Sequence, residues 1–286
     1  MRGEKFVNLL KATRATRVLT VLTIILIPAA YANNFPRILA LFLTVPALIY
    51  FAFSIYNAYR DNDYVLPNYF PIIIVILLTT ALIISFSNKI ILIATCLWIV
   101  LGLIYHTIAR RIILGDAMVA GITHLALPIT ISSILVGLKL ELIIFLCFAS
   151  YLLGISIGPT TNLKDIQEDK KRKYKTLVNS IKTPRLTAAI FLSFSFLIIS
   201  IIYGVLNATQ IWLLFFPFIL LSFTIRQICK NKIKQALIYL RFYLINSMII
   251  LIWSITSNLT IIIISSGILL IQLIIIIKGL KWNTSM

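Results

Sequence analysis

The sequence predicts an all-α fold, a polytopic membrane helix bundle of about nine or ten transmembrane helices. Three observations lead there. Of 286 residues, 60% are hydrophobic and only 12% charged, against roughly 25% charged in ordinary soluble domains. The apolar residues gather into ten stretches, each close to the roughly 20 residues that cross a bilayer core as helix. All but three of the 26 Lys and Arg fall in alternate connections between those stretches.

The stretches run from Val18 to Ala32, Ile38 to Tyr56, Tyr69 to Phe86, Ile90 to Ile108, Ala117 to Gly137, Leu140 to Gly158, Leu186 to Leu206, Ile211 to Ile225, Ala236 to Trp253 and Leu259 to Ile277. Each must be helical, because hydrocarbon offers no partner to an open backbone N–H or C=O. Arg37, Lys89 and Lys139 are the three cations on the poorer side. Cytoplasmic loops carry the excess of Lys and Arg, so both termini and the longer polar loops are expected on the cytoplasmic face of a cell membrane. The basic run before Val18 also describes a signal peptide, but no small-residue cleavage site stands out, and the segment is expected to be retained.

The short connections on the other side leave no room for an external domain, so residues 1–286 read as a single transmembrane domain. A formal charge of +18 would suit nucleic acid if it formed one patch. Scattered between apolar runs it reports topology instead, and no nucleic-acid partner is expected. Cys96, Cys147 and Cys229 lie far apart and are expected to be packing residues. His106 and His124 are too distant in sequence from other ligand types to suggest a metal pair, and Gly102, Gly121, Gly154 and Gly158 suggest close helix contacts.

Only eight carboxylates occur, and their placement is informative. Asp61, Asp63, Asp165, Glu168 and Asp169 fall in two loops on the cation-rich side, with Glu4 and Asp116 on that side too and Glu141 opposite. Asn57 and Asp61 are four apart after the second stretch. Asp165 and Asp169 are four apart after the sixth. That spacing puts both oxygens of a pair on one helical face. Two such faces brought together offer hard oxygen ligands of the kind Mg²⁺ takes together with a substrate's phosphates, with Lys164, Lys170, Lys171, Arg172, Lys173, Lys175, Arg110 and Arg111 to balance phosphate charge. The alternative is a set of solvated ion pairs in basic loops, each worth about 0–1 kcal/mol.

The run Asn162-Leu163-Lys164-Asp165-Ile166-Gln167-Glu168-Asp169-Lys170, followed by Lys175-Thr176-Leu177, resembles the second aspartate motif of the UbiA-type intramembrane prenyltransferase family. Asn57-Ala58-Tyr59-Arg60-Asp61-Asn62-Asp63 resembles the first, and Tyr105 to Arg111 resembles the tyrosine and basic residue between them. The order and membrane side of all three agree across nearly the whole chain. Ala58 and Val65 replace acids of the first motif, Glu168 stands where glycine is common, and the segment from Leu259 looks like a tenth helix added to the usual nine. The resemblance implies Mg²⁺-dependent transfer of a prenyl group from an isoprenyl diphosphate to a hydrophobic acceptor of aromatic or lipid type, with membrane lipid around it. It implies Asn57, Asp61, Asp165 and Asp169 as metal ligands, Asp61 and Asp165 in the catalytic step, and Tyr105, Arg110, Lys170 and Lys175 on the substrate. Two other classes remain open at this point: a membrane transporter, and a degenerate family homologue without catalysis, suggested by Ala58 and Val65.

Overall fold

The computed structural model describes residues 5, 8, 9, 11–13, 15–208 and 211–283. Glu4 lies outside the described residues, as do residues 1–3, 6, 7, 10 and 14. Helices dominate, and each of the ten predicted stretches is one: α1 Ala15–Tyr31, α2 Arg37–Arg60, α3 Phe70–Ser85, α4 Lys89–Thr107, α5 Gly115–Leu135 and α6 Leu140–Asn162. After two short helices, α7 Ile166–Lys171 and α8 Leu177–Ser180, come α9 Pro184–Val205, α10 Phe215–Cys229, α11 Ile233–Ile255 and α12 Leu259–Asn283. Seven of the long helices, counting α10 from Trp212, are by themselves long and apolar enough to cross a membrane, and Val18–Tyr31 of α1, Phe70–Ser85 and Leu259–Ile275 of α12 are shorter apolar helical stretches. The architecture is a polytopic membrane bundle.

Helix α1 lies inside it, packed against α2, α5, α11 and α12, while α2–α3, α5–α6, α6–α9, α9–α10, α10–α11 and α11–α12 are neighbours around it. Large apolar side chains point outward, among them Ile72, Val75 and Ile83 of α3 and Ile93, Val100 and Leu103 of α4. A water-soluble protein does not show such a surface, which is the one lipid tails solvate. Cys96 and Cys229 are exposed, so they do not serve as the packing residues expected from sequence; Cys147 is half-buried, and all three are free.

Polar bonds between helices supply the specificity that apolar contact in lipid lacks. Ser132 donates to the Ile25 carbonyl across α5 and α1 at 2.6 Å, and Tyr203 donates to the Ser247 carbonyl across α9 and α11 at 2.7 Å. Helix α12 is integrated in the same way. Its buried Gln272 donates to the Arg241 carbonyl at 3.1 Å, and its Ser265 accepts from the Trp253 indole at 3.0 Å. At the end of the bundle where α1 turns into α2, the Asn33 Oδ1 accepts from the Thr256 hydroxyl at 2.9 Å and the Ser257 N–H at 3.1 Å, tying this turn to the one between α11 and α12.

Two local features differ from the sequence expectation. Between α6 and α9 the polar stretch folds into α7, on which Asp169 follows Asp165 at the helical spacing already noted, and into α8, which the sequence did not signal. Helix α5 contains a π-helical turn, Ile122–Ala126. Pro128, two residues further on, lacks an N–H to offer the preceding turn, and a widened turn accommodates that missing bond.

The glycines behave as expected of close-packing points. A Cβ on Gly154 would lie 2.3 Å from the Gly121 Cα, and one on Gly158 would lie 2.6 Å from the Ala117 Cβ, so α5 and α6 meet almost backbone to backbone. Gly154→Val should therefore destabilise the bundle by about 1–3 kcal/mol through overpacking. Gly267→Ala, with nothing within 4 Å, should be nearly silent. Thermal unfolding of both variants in detergent compares the two directly.

Candidate functional site

The two acidic segments meet at one end of the bundle, and Asp61 is the junction. It caps the C-terminus of α2, its N–H donating to the Asn57 carbonyl at 2.9 Å. Three guanidinium groups converge on its carboxylate. Arg110 Nη1 lies 3.1 and 3.0 Å from the two oxygens, Arg172 Nη1 lies 2.6 Å from Oδ1, and Arg60 Nη2 lies 3.3 Å from Oδ1. Arg172 Nη2 also donates to the Asp61 carbonyl, and Arg60 to the His106 carbonyl. Arg110 sits over the rings of Tyr105 and Tyr174 at 5.2 and 5.1 Å, a cation–π arrangement. The Lys175 N–H donates to the Arg110 carbonyl at 2.9 Å. The end of α2, the α4–α5 connection and the segment after α7 are thus bound into one unit.

Burial by itself would push the Asp61 carboxyl up. Arg110, with Arg60 and Arg172, outweighs this and holds it below the usual carboxylate value, so Asp61 stays ionised.

The second pair is organised differently. Asp165 caps the N-terminus of α7, and the Asp169 N–H donates to its carbonyl at 2.8 Å. Asp165 pairs with Lys164 at 3.5 Å. Asp169 is half-buried, and burial together with the negative charge of Asp165 pushes its carboxyl up to about 6; Arg110 acts in the opposite direction, and Asp116 and Asp61 add to the repulsion. Asp116 accepts a hydrogen bond from the Asn162 amide. The Asn57 Oδ1, buried within a turn of Asp61, has no hydrogen-bond partner. Lys170 and Lys175 are exposed at the rim, and Asp63 is exposed as well.

Among the described residues, no three Asp, Glu, His or Cys side chains converge closely enough to hold a metal ion by themselves. The donor set fits magnesium in another manner. Mg²⁺ keeps several waters and needs only one or two carboxylates when a substrate supplies phosphate oxygens. Asp165 and Asp169 repel each other enough to favour a cation, and the Asn57 oxygen lacks the partner a buried acceptor requires.

Below this polar end lie two cavities that share a wall of Tyr50, Tyr105 and His124. One, of about 190 Å³, is reached past Asp116, Asn162 and Lys164 and continues between Ala120, Gly154 and Gly158 on one side and Leu237, Leu240 and Leu244 on the other. The other, of about 80 Å³, is lined by Phe53, Asn57, Trp98 and His106. His124 Nδ1 meets the Thr123 hydroxyl at 2.7 Å and its ring lies edge-on to Tyr50, and His106 stacks on Phe53. Both are packed against aromatic neighbours.

Sequence reasoning missed Arg60 and Tyr174 and left Arg172 undistinguished among its basic neighbours. It also missed the Asp116–Asn162 bond. The usable signal for Arg172 was its place one turn past Asp169 and two past Asp165, at the end of the same helix.

No family model matches the sequence, and no curated protein matches it either. The fold defines the class: the chain has the fold of the UbiA-type intramembrane prenyltransferases. A UbiA homologue from Aeropyrum pernix K1 aligns with a TM-score of 0.64 at 11% identity, covering 90% of this chain and 98% of that one. A UbiA homologue from Archaeoglobus fulgidus, solved with DMAPP and Mg²⁺, aligns at 0.58 and 14% identity over 98% of this chain and 100% of its own. A digeranylgeranylglyceryl phosphate synthase structure aligns at 0.58 and 16% identity over 91% and 99%.

Asp61→Ala should leave three partly buried arginines without their counter-charge and destabilise the protein by about 3 kcal/mol. Asp63→Ala, at an exposed position, should stay within about 0.5 kcal/mol of the parent. The difference is read as a shift of the unfolding midpoint in detergent.

Proposed function

We propose that this chain is an intramembrane prenyltransferase. It moves the prenyl group of an isoprenyl diphosphate to a hydrophobic acceptor of aromatic or lipid type, with Mg²⁺ as cofactor. The observation that carries this reading is the union of both aspartate segments, through Arg172 and Asp61, next to a cavity whose lining includes Tyr105, Asn162 and Lys164 at its polar part and Leu237, Leu240 and Leu244 further on. A charge-rich site beside a cavity with apolar walls suits a substrate with a diphosphate at one end and a hydrocarbon at the other. The shared fold with a protein solved in complex with DMAPP and Mg²⁺ supports it.

Asp165 and Asp169, with the Asn57 oxygen, are the residues that would hold Mg²⁺, which neutralises charge on the departing diphosphate when bound. Tyr105 and Arg110 face that diphosphate from the α4–α5 connection, and Lys170 and Lys175 screen it from the rim. Such cations act where negative charge develops as the allylic carbon–oxygen bond opens. The apolar walls at Leu237, Leu240 and Leu244 take the prenyl chain and keep water from the carbon that becomes electrophilic. Asp61 acts through the arginines it holds. The bias of Lys and Arg among the connections supports a cell-membrane protein with this end and both termini on the cytoplasmic side. A transporter would place its charges near mid-depth, whereas these carboxylates gather at one end.

Membranes containing the protein, given a labelled prenyl diphosphate and Mg²⁺, should yield a labelled lipid. Asp165→Ala and Asp169→Ala should each reduce its formation by about a hundredfold or more, with the protein still present in the membrane. Full transfer by both variants would end this reading. The pH dependence has a defined sign. Below about 6 the Asp169 carboxyl takes up a proton that a divalent ion must displace. Transfer at limiting Mg²⁺ should therefore fall as pH drops through 6, and saturating Mg²⁺ should move the fall to lower pH. Initial rates from pH 5 to 8 at two Mg²⁺ concentrations test it.

A further inference from the structure

The two aspartate segments differ in what they offer a ligand. Both oxygens of Asp61 face Arg110, and Oδ1 also meets Arg172 and Arg60. A divalent ion placed there would join three guanidinium charges around a single carboxylate, an arrangement that like-charge repulsion disfavours. Positions 58 and 65 offer no carboxylate in place of Asp61, which leaves the neutral Asn57 oxygen to reach toward the ion of the other segment. Ala58 is fully buried in a small apolar cluster with Leu9, Ala12 and Ile55. Val65 is 67% exposed, and its carbonyl accepts from the Asn8 amide at 3.4 Å. At the other segment Asp165 is met at the surface by a single lysine side chain among the described residues, Lys164 at 3.5 Å.

From this asymmetry, and resting on the prenyl-diphosphate reading above, we propose that the receptor holds the diphosphate between unlike halves: one divalent ion on Asp165 and Asp169, and a guanidinium clamp of Arg60, Arg110 and Arg172 in place of a second ion. Asp61 is the anchor of that clamp and not a metal ligand. Three guanidiniums on one carboxylate leave two positive charges uncompensated within the cluster, and with 16–31% of each arginine side chain exposed they are accessible to a ligand without being fully solvated. Arg60 Nε is a buried donor with no partner, an unfilled position of the kind an anion's oxygen completes. Tyr105 and Tyr174 flank Arg110 and limit the directions in which its guanidinium can turn. The planar fork of arginine binds two phosphate oxygens at once, which lysine does not do. Arg60 and Arg172 thereby become diphosphate-binding residues, and the loss of acids at Ala58 and Val65 is matched by a gain of cations.

The test counts metal ions. Purified full-length protein in detergent is given a non-reactive prenyl thiolodiphosphate and titrated with Mn²⁺, with bound ion read by electron paramagnetic resonance. One Mn²⁺ per chain at saturation is expected. Arg172→Gln, on a partly exposed side chain at the end of a short helix, should weaken analogue binding by about tenfold or more while the count remains one. Asp169→Asn should lose the ion. Two Mn²⁺ per wild-type chain, or wild-type analogue affinity in Arg172→Gln, overturns the clamp and leaves the prenyltransferase reading standing. Failure of the wild type to bind the analogue at any Mn²⁺ concentration overturns both.

Discussion

The arrangement of the polar end depends on one carboxylate. Asp61 takes up three arginines that lie at positions 60, 110 and 172, on segments whose routes through the bundle are otherwise unrelated. A charge with only 9% of its side chain exposed needs close partners, and removing them leaves a desolvation penalty of several kcal/mol. That penalty makes the junction specific. The end of α2 can sit against the α4–α5 connection and the segment after α7 in few ways that keep all three arginines on that carboxylate. Tyr105 and Tyr174 add the steric part, fixing the plane of Arg110. The result is a closely tied polar unit built from connections, which ordinarily would be the loosest part of a helical protein.

Below it, the same few small residues set both the packing and the empty space. Gly154 and Gly158 allow α6 to approach α5 at Gly121 and Ala117, and they also line the larger cavity. A side chain at either position would close the approach and fill the volume together. Close backbone contact on one flank of α6 therefore creates room beside it.

The helices were legible in the sequence because a membrane span is a composition before it is a structure. All ten stretches from Val18 to Ile277 appear, including the segment from Leu259. The pairing of Asn57 with Asp61 and of Asp165 with Asp169 near one end was also readable, since helical spacing and the count of crossings fix which end a loop occupies. The partners of Asp61 were not. Arg110 and Arg172 are 49 and 111 residues away, and nothing in a run of loop cations says which one turns inward. Lys170 and Lys175 carry the same charge as Arg172 and stand exposed. Whether a loop residue faces solvent or the bundle is decided by the short helices α7 and α8, whose polar composition gives no amphipathic signal. The π-helical turn ahead of Pro128 was equally invisible, because a one-residue insertion leaves composition unchanged.

Helix α2 is held differently along its length. At one end the Asn33 turn is stapled to Thr256 and Ser257, and at the other Asp61 is locked by arginines. Between them lie roughly 36 Å of helix that present Phe42, Val45 and Ile49 to the core. Pro46, midway, leaves one backbone carbonyl without its helical donor. A rod clamped at both tips and notched at its centre bows instead of swinging. Both rims of the bundle are thus tied through α2, and Pro46 marks the one point between them where a proline interrupts its backbone bonding.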